Sequence, residues 1–173
     1  MSAISNATPL IYLGKIGQLD LLFKLFGDIF IPNEVYREVV INGLRLGAIE
    51  AQLINYLVNQ DKIQVVKPIL PDPLPAWAQP VDAGEIEVIL LAQQQPADWV
   101  LIDNQHARQA ARKVGLPLKG TIGILLDGFR QQFLSLRELE FWLHYIKAQP
   151  DFWISDSLCD QALARARQEN QEK

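Results

Sequence analysis

The stretch Trp99-Val100-Leu101-Ile102-Asp103 decides the fold of this chain. Its short apolar run is typical of a buried strand. The acid follows the last apolar residue directly, at the carboxyl end of the strand, where open α/β sheets place functional side chains. An Ala-rich amphipathic segment comes next, at residues 106–114, and Gly115 ends it. The stretch therefore predicts a strand-to-helix unit with a crevice at Asp103.

Short apolar runs and longer helical segments alternate along the rest of the chain. We expect further strands at residues 4–5, 28–31, 63–66 and 116–118, and helices at residues 10–26, from 33 onward, 46–59 and 83–94. Thr8 and Pro9 resemble a helix cap and first turn, and Ser155 is expected to cap the last helix. This alternation predicts an α/β fold with a central, mostly parallel sheet covered by helices.

The length of 173 residues fits one domain. Five prolines at residues 68, 71, 73, 75 and 80 indicate a stiff loop, which we interpret as lying inside this domain and not at a boundary. From residue 121 onward only helices are expected. We therefore predict an α/β core at residues 1–120 and a C-terminal helical segment, residues 121–173, packed on the same single domain.

Composition excludes several classes of protein. The net charge of -4 leaves no global basic field for nucleic-acid binding, so any such contact needs a local patch. A single cysteine, Cys159, excludes an internal disulfide framework and predicts a reducing, cytoplasmic setting. We expect no export signal and no membrane span. No dinucleotide fingerprint, P-loop or serine nucleophile elbow is present.

Three carboxylates fall where strands turn into helices: Glu38, Glu85 and Asp103. Hard divalent cations prefer such oxygen ligands, so these acids can form a metal site. A fourth acid is expected after the first strand, but the chain has Asn6 there, and an amide is a poorer ligand.

Each acid also has a simpler explanation. Glu38 follows Glu34 by one helical turn, and both could be solvated. Glu85 could cap its helix, as could the neighbouring Glu87, since a first turn favours carboxylates. Asp103 could cap the helix that follows it.

The basic residues nearest Asp103 are Arg108, Arg112, Lys113 and Lys119. They can form a phosphate-binding rim, but a solvated outer face is an equal alternative. A histidine beside a helix start, such as His106, is more often structural than catalytic. Large aromatics usually fill a core or an interface, so we assign no site to Trp77, Trp142 or Trp153.

Several segments together resemble a PIN-like domain. They are Ser5-Asn6-Ala7-Thr8-Pro9-Leu10-Ile11, Ile31-Pro32 with Val35 and Glu38, Gly84-Glu85, Leu101-Ile102-Asp103-Asn104 with Ala107-Arg108, Gly120-Thr121, and Phe152-Trp153-Ile154-Ser155. The chain is most similar to a prokaryotic branch of predicted nucleic-acid-binding proteins associated with toxin-antitoxin loci.

The resemblance implies a three-layer α/β/α fold and, in active members, RNA cleavage that depends on Mg or Mn. It implies that Glu38, Glu85 and Asp103 ligate the metal, directly or through water, while Thr8 orients a ligand or water near Asn6. It also implies that Asn6 and Asn104 stand where active members carry acids, so the acidic site is partly degenerate. RNA is the expected partner.

Three functions stay open on these grounds. The first is a metal-dependent ribonuclease of toxin type. The second is a catalytically silent module that binds RNA or a partner protein. The third is a purely protein-binding member of a two-gene pair, whose C-terminal helices dock an antitoxin-like peptide or a second copy. A homodimer is the expected assembly.

Overall fold

A computed structural model describes residues 1–172 and contains one five-stranded sheet among them. The strands are β1 (Ser2–Ser5), β2 (Asp28–Pro32), β3 (Ile63–Val66), β4 (Trp99–Leu101) and β5 (Leu118–Lys119). Their order is β3-β2-β1-β4-β5, and every neighbouring pair is parallel. The predicted α/β class is confirmed, and the architecture is a three-layer α/β/α sandwich.

The order in which strands are added to the sheet reverses at its central strand, β1. Ile4 of β1 pairs with Phe30 of β2 on one side and with Val100 of β4 on the other. Successive strands are added on the β2 side first and on the β4 side afterwards. In open parallel sheets such a switch point leaves a crevice at the carboxyl ends of the strands. Asn6 and Asp103 lie at this end, directly after β1 and two residues after β4.

Helices connect the strands. Those before β5 are α1 (Ala7–Lys15), α2 (Asp20–Phe26), α3 (Asn33–Tyr36), α4 (Gly43–Arg45), α5 (Ile49–Asn59), α6 (Ala83–Gln94) and α7 (Gln105–Lys113). The single helix expected at residues 10–26 is two helices, because Gly17 has a left-handed φ of 66° that ends the first. The expected cap at Thr8 is also wrong: Asn6 is the N-cap, and Thr8 is the second residue of α1.

The core lies between the central strands and α6. Ile4, Ile29, Val100 and Leu101 are completely buried, as is Ile89 of α6. Helix α6 contacts β1, β2 and β4. Fully burying an aliphatic side chain of this size stabilises the fold by about 1.5–3 kcal/mol. This packing fixes the first turn of α6 over the carboxyl end of β1.

A π-helical segment, Arg37–Asn42, joins α3 to α4 without a break. Its far end is held by a close approach, since a Cβ atom at Gly43 would lie only 2.6 Å from the Cβ atom of Ala51 in α5. The backbone N–H of Ala48 also donates to the carbonyl of Gly43 at 2.9 Å. Single π turns inside helices are frequent at functional sites, and Glu38 belongs to this one.

The proline-rich segment between β3 and α6 contains only a short 3₁₀ turn, Ala76–Ala78. The side chain of Gln94 holds it from α6, accepting from the backbone N–H of Ile69 at 2.8 Å and donating to the carbonyl of Ile69 at 2.6 Å. The segment is therefore tied to the core helix, as expected for a stiff loop.

Contacts divide the chain into two compact units, Met1–Thr121 and Ile122–Lys173. The C-terminal helices are α8 (Thr121–Arg130), α9 (Leu136–Ala148) and α10 (Asp156–Gln171), and Ser155 caps α10 as predicted. Ion pairs join α10 to its neighbours: Arg130 to Glu169 at 2.7 Å and Lys147 to Asp160 at 2.5 Å. Packing of this unit on the α/β core as one domain stays a prediction. Within residues 1–172, no helix combines the length and apolar character needed to cross a bilayer.

Replacing Gly43 with Ala should lower the free energy of unfolding by about 1–3 kcal/mol, because the new methyl group overlaps Ala51. Urea denaturation measures the change. In an Ala51→Gly background the same replacement should be nearly neutral, since the clashing atom is gone. Equal destabilisation in both backgrounds would contradict the proposed close contact.

Candidate metal and nucleic-acid site

Asn6 connects the sheet to the site. Its backbone N–H donates to the carbonyl of Leu101 at 2.9 Å, which extends the pairing of β1 with β4 by one residue. Its side chain makes no capping bond to α1 and is buried, with 4% of the residue exposed. The amide Nδ2 lies 3.5 Å from Oε1 of Glu85, at the limit of a hydrogen bond. An amide therefore faces a buried acid where the sequence pattern led us to expect two acids.

Glu85 is the third residue of α6 and only 6% exposed. It forms a capping box with Asp82, and its Oε2 atom accepts the backbone N–H of Asp82 at 3.3 Å. The capping role and the site role were alternatives in the sequence, but the structure shows the cap and the contact with Asn6 on the same carboxylate. Glu87 has a different position, since its carboxylate accepts the backbone N–H of Glu34 at 2.9 Å.

Gly84 lies between the functional side chains. A Cβ atom there would be 3.5 Å from Oε2 of Glu38 and 3.8 Å from Oδ1 of Asn6. The oxygens of Glu38 and Asn6 therefore both lie close to the first turn of α6, which carries Glu85. Glu38 lies on the exposed side of this group and Glu85 on its buried side. We call Asn6, Glu38 and Glu85 the acidic site.

The acidic site carries negative charge that the protein does not neutralise well. Burial is the largest influence on the Glu85 carboxyl and raises its pKa, while the bond from the Asp82 backbone opposes the rise. The charges of Asp82 and Glu38 raise the pKa further, and His106 lowers it slightly. Partial desolvation likewise raises the pKa of Glu38, helped by Asp82 and Glu34. Arg37 is the cation beside Glu38, but it is paired with Glu34. Such a group binds either protons or a cation more readily than an isolated acid.

The donor set suits a hard divalent cation. Two carboxylates and one amide oxygen match the ligands of Mg²⁺ or Mn²⁺, and Mg²⁺ usually retains several waters. In residues 1–172, no group of three or more His, Cys, Asp or Glu side chains has the arrangement of a metal site. The acidic site therefore supplies fewer protein ligands than the three carboxylates predicted, and the metal role of each stays a prediction.

Asp103 has both carboxylate oxygens engaged. Oδ1 accepts the backbone N–H of Thr121 at 2.8 Å, and Oδ2 accepts the Thr121 hydroxyl at 2.6 Å. A Cβ atom at Gly120 would lie 2.8 Å from Oδ1, so only glycine leaves room for this approach. Burial raises the pKa of Asp103, while the bonds from Thr121 and the charge of Arg108 oppose that rise. Asp103 thus holds the start of α8.

The cap of α7 is Asn104. Its Oδ1 atom accepts the backbone N–H groups of His106 at 2.8 Å and Ala107 at 3.2 Å. The possibility that Asp103 caps this helix is therefore wrong, because the neighbouring amide makes the capping bonds. Asn104 has a structural function at the position where the family resemblance implies a second acid.

The basic residues predicted to bind nucleic acid lie on α7. Arg108 is half-buried, and its Nη1 atom donates to the carbonyl of Ile102 at 2.7 Å. Burial and the charge of Arg112 lower the pKa of Arg108. Arg112 and Lys113 are exposed in the last turn. Thr8 is half-buried two residues after Asn6. A role for these four residues in nucleic-acid binding stays a prediction.

Three residues near the site were not assigned a role from the sequence. Asp82 could have been found from its spacing to Glu85, because an acid three residues before a glutamate is typical of a capping box. Gly84 and Thr121 were recognised only as parts of motifs. Their contacts with Glu38 and Asp103 join residues far apart in the chain, and no local pattern indicates them.

A family model described as a PIN domain matches residues 2–168 of this chain. Comparisons with curated proteins and with solved structures found no match. The matched range includes the acidic site, Asp103 and most of the C-terminal helices. A PIN domain is a nucleic-acid-binding fold that is often a nuclease, and PIN domains generally use divalent metal ions. The match covers nearly the whole chain, and the chain therefore belongs to the PIN domain family.

Proposed function

We propose that this protein is a divalent-metal-dependent ribonuclease of toxin type with a partly degenerate acidic site. One observation carries the proposal: Glu38 and Asn6 both lie close to Gly84, Asn6 also contacts Glu85, and burial together with the charges of neighbouring acids raises the pKa of both the Glu38 and the Glu85 carboxyl. A site of this kind is more stable with a cation between its oxygens. Mg²⁺ and Mn²⁺ are the metals that its donors favour.

Each acid has a defined task under this proposal. Glu85 is the rigid ligand, because the capping box fixes its carboxylate, and Glu38 is the ligand on the open side. Asp103 can still contribute, since a carboxylate offers about four lone-pair sites and Thr121 uses two of them. The metal, when bound, activates an attacking water and offsets charge on the phosphate. Thr8 orients a ligand or water beside Asn6.

The RNA is held by a local basic rim. Arg108, Arg112 and Lys113 follow Asp103 on α7 and supply positive charge that the chain as a whole lacks. Phosphate contacts of this kind give affinity without sequence preference. We further propose that the protein acts in the cytoplasm as a homodimer and that an antitoxin-like protein controls it.

A second function is favoured by one feature of the site. Asn6 is neutral and lies against Glu85, so two carboxylates meet where more are needed for strong metal binding. A catalytically silent module that binds RNA or a partner protein would have the same geometry. Metal titration and restoration of the acid separate the two functions.

Glu85→Gln should weaken Mn²⁺ binding at least about tenfold, since it removes the buried charge but keeps an oxygen for the capping box. Calorimetric titration of Mn²⁺ and Mg²⁺ measures this. Glu138→Gln is a matched control, because Glu138 is also the third residue of a helix and forms a capping box with Ser135. Identical Mn²⁺ affinities for the native protein and Glu85→Gln would remove Glu85 from the metal site.

Asn6→Asp should raise metal affinity, because it replaces an amide near Glu38 and Glu85 with a charged ligand. RNA cleavage assays with Mn²⁺ then decide between the two functions. Cleavage by the native protein that Glu38→Gln and Asp103→Asn abolish supports the nuclease. Cleavage that appears only in Asn6→Asp supports the silent module.

The contribution of Glu85 to the stability of the native protein should fall as pH rises above 4.5, the ordinary pKa of a glutamate carboxyl. The folded state keeps the Glu85 proton to a higher pH than the unfolded state does, so above 4.5 folding must retain a proton that the unfolded chain releases. Glu85→Gln removes this contribution. The free energy of unfolding of the variant minus that of the native protein should therefore grow from pH 4.5 upward, until pH exceeds the raised pKa of Glu85.

Urea denaturation across this range measures the effect, without added metal. Glu138→Gln should show a constant difference over this range, because bonds from Ser135 lower the pKa of Glu138 and its contribution is lost only as pH falls below 4.5. A constant difference between Glu85→Gln and the native protein from pH 4.5 to about 8 would argue against a raised Glu85 pKa.

A further inference from the structure

The second unit carries a cluster of aromatic side chains that is only partly buried in its core. Phe141, Trp142 and Tyr145 lie on α9, and their rings contact one another. Phe152, after the helix, places its ring edge-on to Tyr145 at a centroid distance of 6.3 Å. We call these four residues the aromatic platform. Phe152 is buried beneath it, whereas Phe141 is 58% exposed and Tyr145 is 37% exposed.

The two exposed rings have a common orientation. Phe141 and Tyr145 are one helical turn apart, with ring planes only 23° from parallel and centroids 6.4 Å apart. Trp142 packs edge-on against both, at 74° and 85°, and so holds their planes. Two nucleotide steps of a stacked strand cover about 7 Å. The spacing of the Phe141 and Tyr145 rings therefore suits two bases of one strand, each stacked on one of the two rings.

Positive charge accompanies the platform. Arg137 is exposed one turn before Phe141, on the same face of α9, and makes no hydrogen bond or ion pair with any residue in the described part of the chain. Of the neighbouring carboxylates, Glu140 pairs with Arg167, and Glu138 is bonded to Ser135 and keeps its charge. A free guanidinium beside flat apolar rings complements a nucleic-acid strand, which presents phosphates and bases together.

Trp153 is a further exposed ring in this unit. It follows Phe152 directly in the chain and is 90% exposed. Exposed tryptophans are common where proteins bind partners or bases. Three exposed aromatic residues within thirteen positions are more than the packing of α9 requires, because its buried side is already filled by Leu139, Leu143 and Ile146.

We propose that the aromatic platform, with Arg137 and Trp153, is a binding surface for single-stranded nucleic acid. The bases stack on Phe141 and Tyr145, and Arg137 contacts a phosphate. This inference rests on the nucleic-acid part of the proposed function and is independent of metal binding and cleavage. It assigns substrate contacts to the second unit, whereas the acidic site and the basic rim belong to the first.

The test is fluorescence anisotropy with a labelled oligouridylate of about 12 nucleotides, in the presence of a chelator so that metal and cleavage have no influence. Phe141→Ala and Tyr145→Ala should each weaken binding about tenfold. Phe141→Leu keeps an apolar side chain but no ring, and it should weaken binding to a similar extent. Arg137→Gln should weaken binding less and should lower the salt dependence by about one phosphate contact.

Matched controls come from the first unit. Tyr56→Ala removes another exposed aromatic ring and Arg45→Gln another exposed cation; neither should change binding. Circular dichroism checks that each variant is folded.

Three results would overturn the proposal. The first is unchanged affinity in Phe141→Ala, Phe141→Leu and Tyr145→Ala. The second is a change in the sedimentation of these variants without a change in RNA binding, which would make the platform a protein interface. The third is an absence of oligonucleotide binding by the native protein; the titration of Mn²⁺ against Glu85→Gln would then still test the metal part of the proposed function by itself.

Discussion

The burial of the Glu85 carboxylate is the constraint on which the candidate site depends. Helix α6 must pack its apolar residues against three central strands, and this places its first turn over the end of β1. The third residue of that helix is then enclosed with Asn6 and Asp82. A buried acid needs hydrogen bonds and a nearby positive charge to be stable. The capping box supplies some of the hydrogen bonds. The positive charge must come from a proton or from a bound cation.

The carboxylates of Glu85 and Asp103, both near the switch point, are stabilised to different degrees by their surroundings. At Glu85, like charges gather and the pKa rises, so the region is electrostatically unsatisfied. At Asp103, the Thr121 hydroxyl and backbone satisfy the carboxylate, and Arg108 lies nearby. Both acids have a structural role, but the charge of Glu85 is the less well satisfied of the two.

The regular parts of the fold were predictable from the sequence because their signals are local. The bounds of α6 and β3 agree with the predicted residues, since an apolar run and its flanking polar residues define each. The position of Glu85 beside Asn6 followed from the family resemblance. The Asp103 contact with Thr121 did not, because it spans 18 residues and depends on the missing Cβ of Gly120. The sequence left open whether Asp103 caps α7, since aspartate and asparagine cap helices equally well and only the geometry identifies Asn104 as the cap.

The π segment has a consequence for how this site can change over evolution. Each residue of a helix turns the chain by about 100°, so removing one residue from Arg37–Asn42 would rotate everything before it relative to Gly43. The contact of Gly43 with Ala51 and the direction of Glu38 could not then both be kept. The direction of the Glu38 side chain therefore depends on the number of residues in the π segment as well as on their identity. Substitutions within the segment can accumulate one at a time without moving Glu38, whereas a single insertion or deletion would move Glu38 away from Gly84.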